Sequence, residues 1–166
     1  SKLRTALLTI PLDRYSRARS SRSSVSRGMV NNAVRNFEIS AALKPESAAA
    51  HFNLGTAQAQ GGRFDAAVAS FRTALKLRPD SSLAHGNLGR VLLAQGNQAE
   101  AMKHLQEAVR LDPANPRSLL GLAEAQAAAS DYAAALETID RARKLPLTEE
   151  LAKEIFARRA VYLKLR

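Results

Sequence analysis

Three histidines are the first residues to consider for acid–base or metal chemistry, because imidazole titrates near neutral pH and is a common nitrogen ligand. His51 and His85 are set apart by a 34-residue interval, and His104 follows separately. Metal ligands on one helix recur about every four residues. The His51 to His85 interval is therefore no ligand spacing, and no carboxylate recurs with the pair. Both are expected to be packing residues, and His104 has no evident partner. The sequence has no cysteine, which removes thiol nucleophiles, zinc–thiolate sites and disulfides. Acids are scattered singly. No nucleophile–base pair, Walker motif or phosphate-binding glycine loop occurs, and Gly61-Gly62 reads as a turn. No catalytic residue, metal, cofactor or small-molecule substrate is expected.

Binding residues are easier to find. Asn53 and Asn87 each precede a Leu-Gly pair and share the 34-residue interval. An asparagine amide offers both donor and acceptor to a peptide backbone, so it can hold an extended chain without demanding one sequence. Thr56, Arg90, Arg117 and Glu124 fall on or near the same face at helical spacing. Together these six form the expected peptide-binding surface.

The elements that position them follow from composition and phase. The chain has 166 residues, suited to one domain, and 46% are hydrophobic. Of these, 32 are alanine and only eight of all residues are aromatic. Alanine is the best helix former and fills a β-sandwich poorly, so the chain is expected to be all-α. Pro11, Pro45, Pro79 and Pro113 recur at the same 34-residue interval, as do Gly28, Gly62 and Gly96. Large apolar residues at Phe37, Phe71, Leu105 and Ile139 keep the same phase, as do small ones at Ala33, Ala67, Ala101 and Ala135. Each proline ends a helix, because the residue before it is pushed out of α geometry. Leu54, Gly55, Leu88, Gly89, Ala67, Ala101, Phe71 and Leu105 are expected core, with the glycines where two helices cross closely. Asp65, Asn97 and Asp131 are candidate N-caps of second helices.

This 34-residue unit, with Leu54-Gly55, Gly62, Ala67, Phe71, Ala74 and Pro79, and again Leu88-Gly89, Gly96, Ala101, Leu105, Ala108 and Pro113, resembles the tetratricopeptide repeat (TPR), a helix-turn-helix. The resemblance implies a right-handed all-α solenoid of about nine helices whose first helices line a concave groove. The expected divisions are the end of a truncated repeat at 1–13, a degenerate repeat at 14–47, repeats at 48–81 and 82–115, and a looser one at 116–147. A capping helix or the start of a further repeat follows at 148–166. The Asn-Leu-Gly strings are also similar to the TPR domain of O-linked N-acetylglucosamine transferases, which implies a short asparagine ladder, ending at Gly121 and Arg19. The family's carboxylate clamp for chaperone tails fits poorly: Asn87 matches and Arg117 could serve, but Phe52, Thr56 and Gly121 do not.

Residues 14–27 lack the apolar face of a first helix, with Ser20 and Ser21 in the places of Leu54 and Gly55. They read as a degenerate helix or a sequence error, then as an Arg/Ser segment for RNA or an acidic partner, then as a transit peptide. Residues 1–37 carry +7 and the rest only +3. Nucleic acid is the least favoured partner, since only Tyr15 could stack on a base there. Apolar stretches run only a few residues, against the ~18 a membrane-spanning helix requires. Cytoplasm is the first choice of compartment, with periplasm and organelle lumen open. Two function classes result: a non-catalytic scaffold gripping a protein or extended peptide, as an assembly factor does, or the substrate-recruiting arm of a larger enzyme such as a glycosyltransferase.

Overall fold

A computed structural model of the chain describes residues 24–166, with side-chain surroundings from Gly28 onward. The expected truncated repeat at 1–13 and most of the Arg/Ser stretch lie outside the described residues. Eight α-helices and no strand occur among those described: α1 (Ser24–Leu43), α2 (Ala48–Gln60), α3 (Phe64–Leu77), α4 (Ser82–Ala94), α5 (Gln98–Leu111), α6 (Pro116–Ala128), α7 (Tyr132–Ala142) and α8 (Glu149–Leu165). The fold is the expected right-handed all-α solenoid.

Most of these helices start where a side chain can take an orphan backbone N–H. Ser47, Ser81 and Asn115 cap the first helices α2, α4 and α6, accepting from the amides of Ala50, Ala84 and Ser118. Thr148 does the same for α8. Among the second helices, Asn97 and Asp131 cap α5 and α7 as expected. Asp65 does not. The N-cap of α3 is Arg63, which makes no side-chain cap, and Asp65 lies in the first turn, where it accepts from Gln95 Nε2 at 2.7 Å.

The turns between paired helices use a residue in the left-handed region: Gly62 at φ 74°, Gly96 at φ 83° and Ser130 at φ 65°. There the amides of Arg63, Asn97 and Asp131 reach back to the carbonyls of Gln58, Leu92 and Gln126 and satisfy the helix ends. Gly28 shares the interval but makes no such turn. It lies inside α1, which runs unbroken from Ser24 to Leu43, so within the described part of the degenerate repeat at 14–47 no turn separates two helices.

Packing repeats along the chain. α2 lies on α3, α4 on α5 and α6 on α7, and each second helix also meets the next first helix. First helices touch one another in turn, α2 to α4, α4 to α6 and α6 to α8, so they occupy the inner, concave side. Val34, Phe71, Leu88, Leu105, Leu119, Ile139 and Ile155 are fully buried, each contributing about 1.5–3 kcal/mol by leaving water. All eight expected core residues are buried.

The close crossing is visible at the glycines. A Cβ on Gly55 would stand 2.9 Å from the Phe71 ring, and one on Gly89 would stand 2.6 Å from Leu105 Cγ and 3.0 Å from the Ala101 carbonyl oxygen. A Cβ on Gly28 would meet nothing within 4 Å. Alanine at the two sites should therefore act with opposite sign. Gly89→Ala is expected to destabilise by roughly 1–3 kcal/mol through overpacking, and Gly28→Ala to stabilise by about 0.5–1 kcal/mol through helix propensity. Urea unfolding of the two variants checks this, and equal effects would refute the crossing argument.

Candidate functional site

The concave face is built by the helical period of the first helices. On α2 and α4 the buried side carries Leu54 and Leu88, which turns Asn53 and Asn87 away from the core. Asn53 is exposed and Asn87 half-buried. Among the described residues neither side-chain amide has a hydrogen-bond partner. Arg90 is half-buried and Arg117 exposed, and among the described residues neither guanidinium makes a hydrogen bond. Thr56 is different: its hydroxyl donates to the Phe52 carbonyl oxygen at 2.9 Å and so is already used by its own helix.

Glu124 also departs from expectation. Instead of facing a partner, it accepts from Arg158 Nε of α8 at 3.0 Å, with both side chains only 10% exposed. Arg90 stands close enough to act on the same carboxylate, and its stem lies against Gly121, where an added Cβ would meet Arg90 Cγ at 3.2 Å. Thr56, Arg90, Glu124 and Arg158 occupy one register position at intervals of 34. The inner face is thus open at α2 and α4 and closed by charge pairing from α6 to α8. Arg158 was missed from the sequence, although the same interval that marks Arg90 and Glu124 reaches it.

This arrangement of paired helices on a 34-residue phase can be set against known proteins. Tetratricopeptide-repeat models match residues 15–82 and 60–116, and a second such model matches 92–153. The chain belongs to the tetratricopeptide-repeat family. Among solved structures, it is similar to the TPR2B domain of yeast Sti1 in a complex with pHsp70, at 26% identity and a TM-score of 0.63, covering 68% of this chain and 92% of that one. MamA is similar at 18% identity and a TM-score of 0.67, with 84% and 86% covered. The APC/C hetero-tetramer Cut9-Hcn1 is similar at 24% identity and a TM-score of 0.75, covering 84% of this chain but only 28% of that one. No curated protein sequence matches.

The histidines of these tetratricopeptide repeats serve the backbone. His51 Nε2 lies 2.9 Å from the Pro45 carbonyl oxygen, and His85 Nε2 lies 3.0 Å from that of Pro79. Each donates to a carbonyl just past the preceding helix, so the recurring histidine ties one repeat to the next. With Nε2 of His85 donating, its Nδ1 accepts from Nδ1 of His104 at 2.9 Å. Burial pushes the His104 pKa down, and the adjacent His85 adds to that shift. Among the described residues, no group of three or more histidines or acids is placed to hold a metal ion.

Two further pairs link successive repeats. Arg72 of α3 donates to Glu100 of α5 at 2.6 Å, and this hydrogen bond holds the Glu100 carboxyl below its ordinary range. A depressed acid stabilises the fold above its unfolded pKa and loses that contribution as pH falls through the folded value. Arg72→Ala should move the Glu100 pKa upward and flatten the loss of stability in acid, which carboxyl NMR titration and melts below about pH 5 would read. An unmoved Glu100 would show that the pair is not formed in solution. For Glu124 the sign is reversed. Burial pushes its pKa up, so its contribution is greatest in acid and declines as pH rises through the folded value. Removing only Arg158 leaves that carboxylate buried without its hydrogen-bonded cation. Arg158→Met is expected to cost about 3–5 kcal/mol, whereas the double change Glu124→Leu, Arg158→Met should recover most of the loss. A double-mutant cycle in urea measures the coupling, and additive losses would mean that the pair is solvent-screened.

Proposed function

We propose that this chain is a non-catalytic interaction scaffold that holds a partner protein or extended peptide along the open section of its concave face. The observation that carries the reading is the pair of asparagines. Asn53 and Asn87 occupy the same register position on adjacent first helices, face away from the core, and have no hydrogen-bond partner among the described residues. Polar groups arranged in this way can pair with the donors and acceptors of an extended backbone. Arg117, exposed and without a hydrogen bond among the described residues, and Arg90, whose charge also acts on Glu124, flank them, which favours a partner carrying acidic residues nearby. Glu124 no longer belongs to the contact surface in this reading, and Thr56 contributes shape more than hydrogen bonding.

The family supports the general class, because tetratricopeptide modules act by binding. The Sti1 domain is solved with pHsp70, but chaperone tails are not the favoured partner here. Phe52 packs its ring against Phe71 with centroids 5.9 Å apart, and Gly121 is covered by the Arg90 stem, so neither supplies the clamp's polar group. A second reading, the substrate-recruiting arm of a larger enzyme such as a glycosyltransferase, is favoured by the same Asn-Leu-Gly pairs. The two differ in what the bound chain undergoes: an arm delivers it to a catalytic domain, whereas a scaffold leaves it unchanged.

Loss of one neutral hydrogen bond costs about 0.5–1.5 kcal/mol. Asn53→Ala with Asn87→Ala should therefore weaken a groove-bound peptide by ~5- to 100-fold and leave helicity unaltered. Isothermal titration of a partner recovered by pull-down with the intact protein reads the change. Full affinity in the double variant would remove the groove reading and direct attention to the convex face.

A further inference from the structure

The repeat at 82–115 places two imidazoles where its neighbours place one or none. His85 occupies the register of His51 and Leu119, and His104 that of Ser70 and Thr138, so this repeat alone sets histidine opposite histidine. The pair spans the hairpin. His85 stands on α4 two residues before Asn87, and His104 on α5 immediately before Leu105, the side chain that lies on Gly89. Their Nδ1 atoms are 2.9 Å apart, with ring centroids at 5.1 Å and planes inclined by 34°. The rings therefore point at each other. A metal ion on that line would hold the nitrogens about 4 Å apart, so the gap fits a proton.

Few proton arrangements satisfy this geometry. Nε2 of His85 donates to the Pro79 carbonyl oxygen at 3.0 Å, so in the neutral pair the one proton between the rings belongs to His104. Nε2 of His104, 3.8 Å from Glu100 Oε1, then carries none. A first added proton settles there, and the hydrogen bond between the rings survives and gains charge. A second can enter only at the accepting Nδ1 of His85. Both facing nitrogens are then donors, the bond is lost, and two like charges are left in contact.

We propose that this pair is an acid-sensitive clasp: neutral or singly protonated, it holds α4 to α5 beside their close crossing, and doubly protonated it parts them. The inference stands apart from the groove reading, since it concerns the hairpin itself and needs no partner. Because the His85 ring also holds the Pro79 carbonyl, the clasp ties α5 through α4 to the end of the preceding repeat. Burial is the largest influence on His104 and holds its pKa below the ordinary 6.5; His85 of α4 and Arg72 of α3 act in the same direction, and Glu100 of α5 acts against them. The charge of His85 also acts on Glu107 of α5, which is bonded to Arg110 at 2.7 Å. α2 and α6, the other helices packed on α4 or α5, add no charge at His104. A histidine depressed in this way contributes its full stability above the unfolded value and loses it as pH falls towards the folded one.

Imidazole NMR titration of the full chain tests this without any variant. His85 and His104 should respond together, over two steps that belong to the pair. His51, which has Ser70 in place of a second imidazole, is the internal control. Independent single-step curves for the two rings overturn the proposal. His104→Ser puts a small hydroxyl at this register, as the preceding repeat has at Ser70, and removes the clasp while leaving Gly89 and Leu105 in place. Between about pH 7.5 and about pH 5 the unfolding constant in urea should rise roughly tenfold more for the wild type than for His104→Ser, the equivalent of one pKa unit. Amide exchange, corrected for intrinsic rate, should show protection falling over α4 and α5 relative to α2 and α3 in the wild type only. Parallel stability curves would mean that the His104 ring acts by packing alone. Protection lost evenly over all four helices would mean that acid acts without opening this hairpin, and either result overturns the clasp.

Discussion

The rest of the structure depends on the close crossing of each first helix with its second. At that point a large side chain must lie directly on the backbone of its partner, and only a residue with little or no side chain admits it. The sizes are matched repeat by repeat. Phe71 and Leu105 lie on glycines, at distances that a Cβ could not share, whereas the third repeat has Ile139 and Ala123 at the equivalent register positions, both fully buried. The side chains at the crossing set the interaxial distance and the ridges that interdigitate there set the crossing angle, and the two together decide where the next first helix lands. The concave face is therefore a consequence of core packing. The asparagines of its open section make no hydrogen bond among the described residues and take no part in fixing it, unlike Glu124, which is paired with Arg158.

That separation explains what could be read from the sequence. The 34-residue interval is imposed by packing, so prolines, glycines and the large apolar series record it directly, and the core residues were legible. Features decided by local geometry were less so. Asp65 reads as a cap from its type, but the left-handed residue at Gly62 places the helix start two residues earlier, at Arg63. Gly28 keeps the phase without making a turn. It lies within the continuous α1, and a helical glycine costs only about 1 kcal/mol.

The inner face was legible in position and only partly in state. Spacing along single helices gathered Thr56, Arg90 and Glu124 onto one side, at one register position of successive repeats. Spacing cannot show that Thr56 satisfies itself on the Phe52 carbonyl, or that Glu124 is engaged by a cation from α8. A pair across helices depends on how the helices stack. It appears in the sequence only when the register is followed one repeat further, to Arg158. The histidines show the same limit: their recurrence is plain, but the proline carbonyls they bind belong to the preceding unit.

A solenoid couples each unit mainly to its neighbours, so stability varies along its length. α2 and α4 have packed neighbours on both sides among the described residues, and Asn53 and Asn87 sit on these two helices. The ion pair from Glu124 to Arg158 and the pair from Asp140 to Arg159, at 2.7 Å, both fasten α8 to the helices before it. These contacts hold the terminal unit in the phase of the solenoid without using the asparagine positions. The geometry of the open section is set by helices that have packed neighbours on both sides among the described residues.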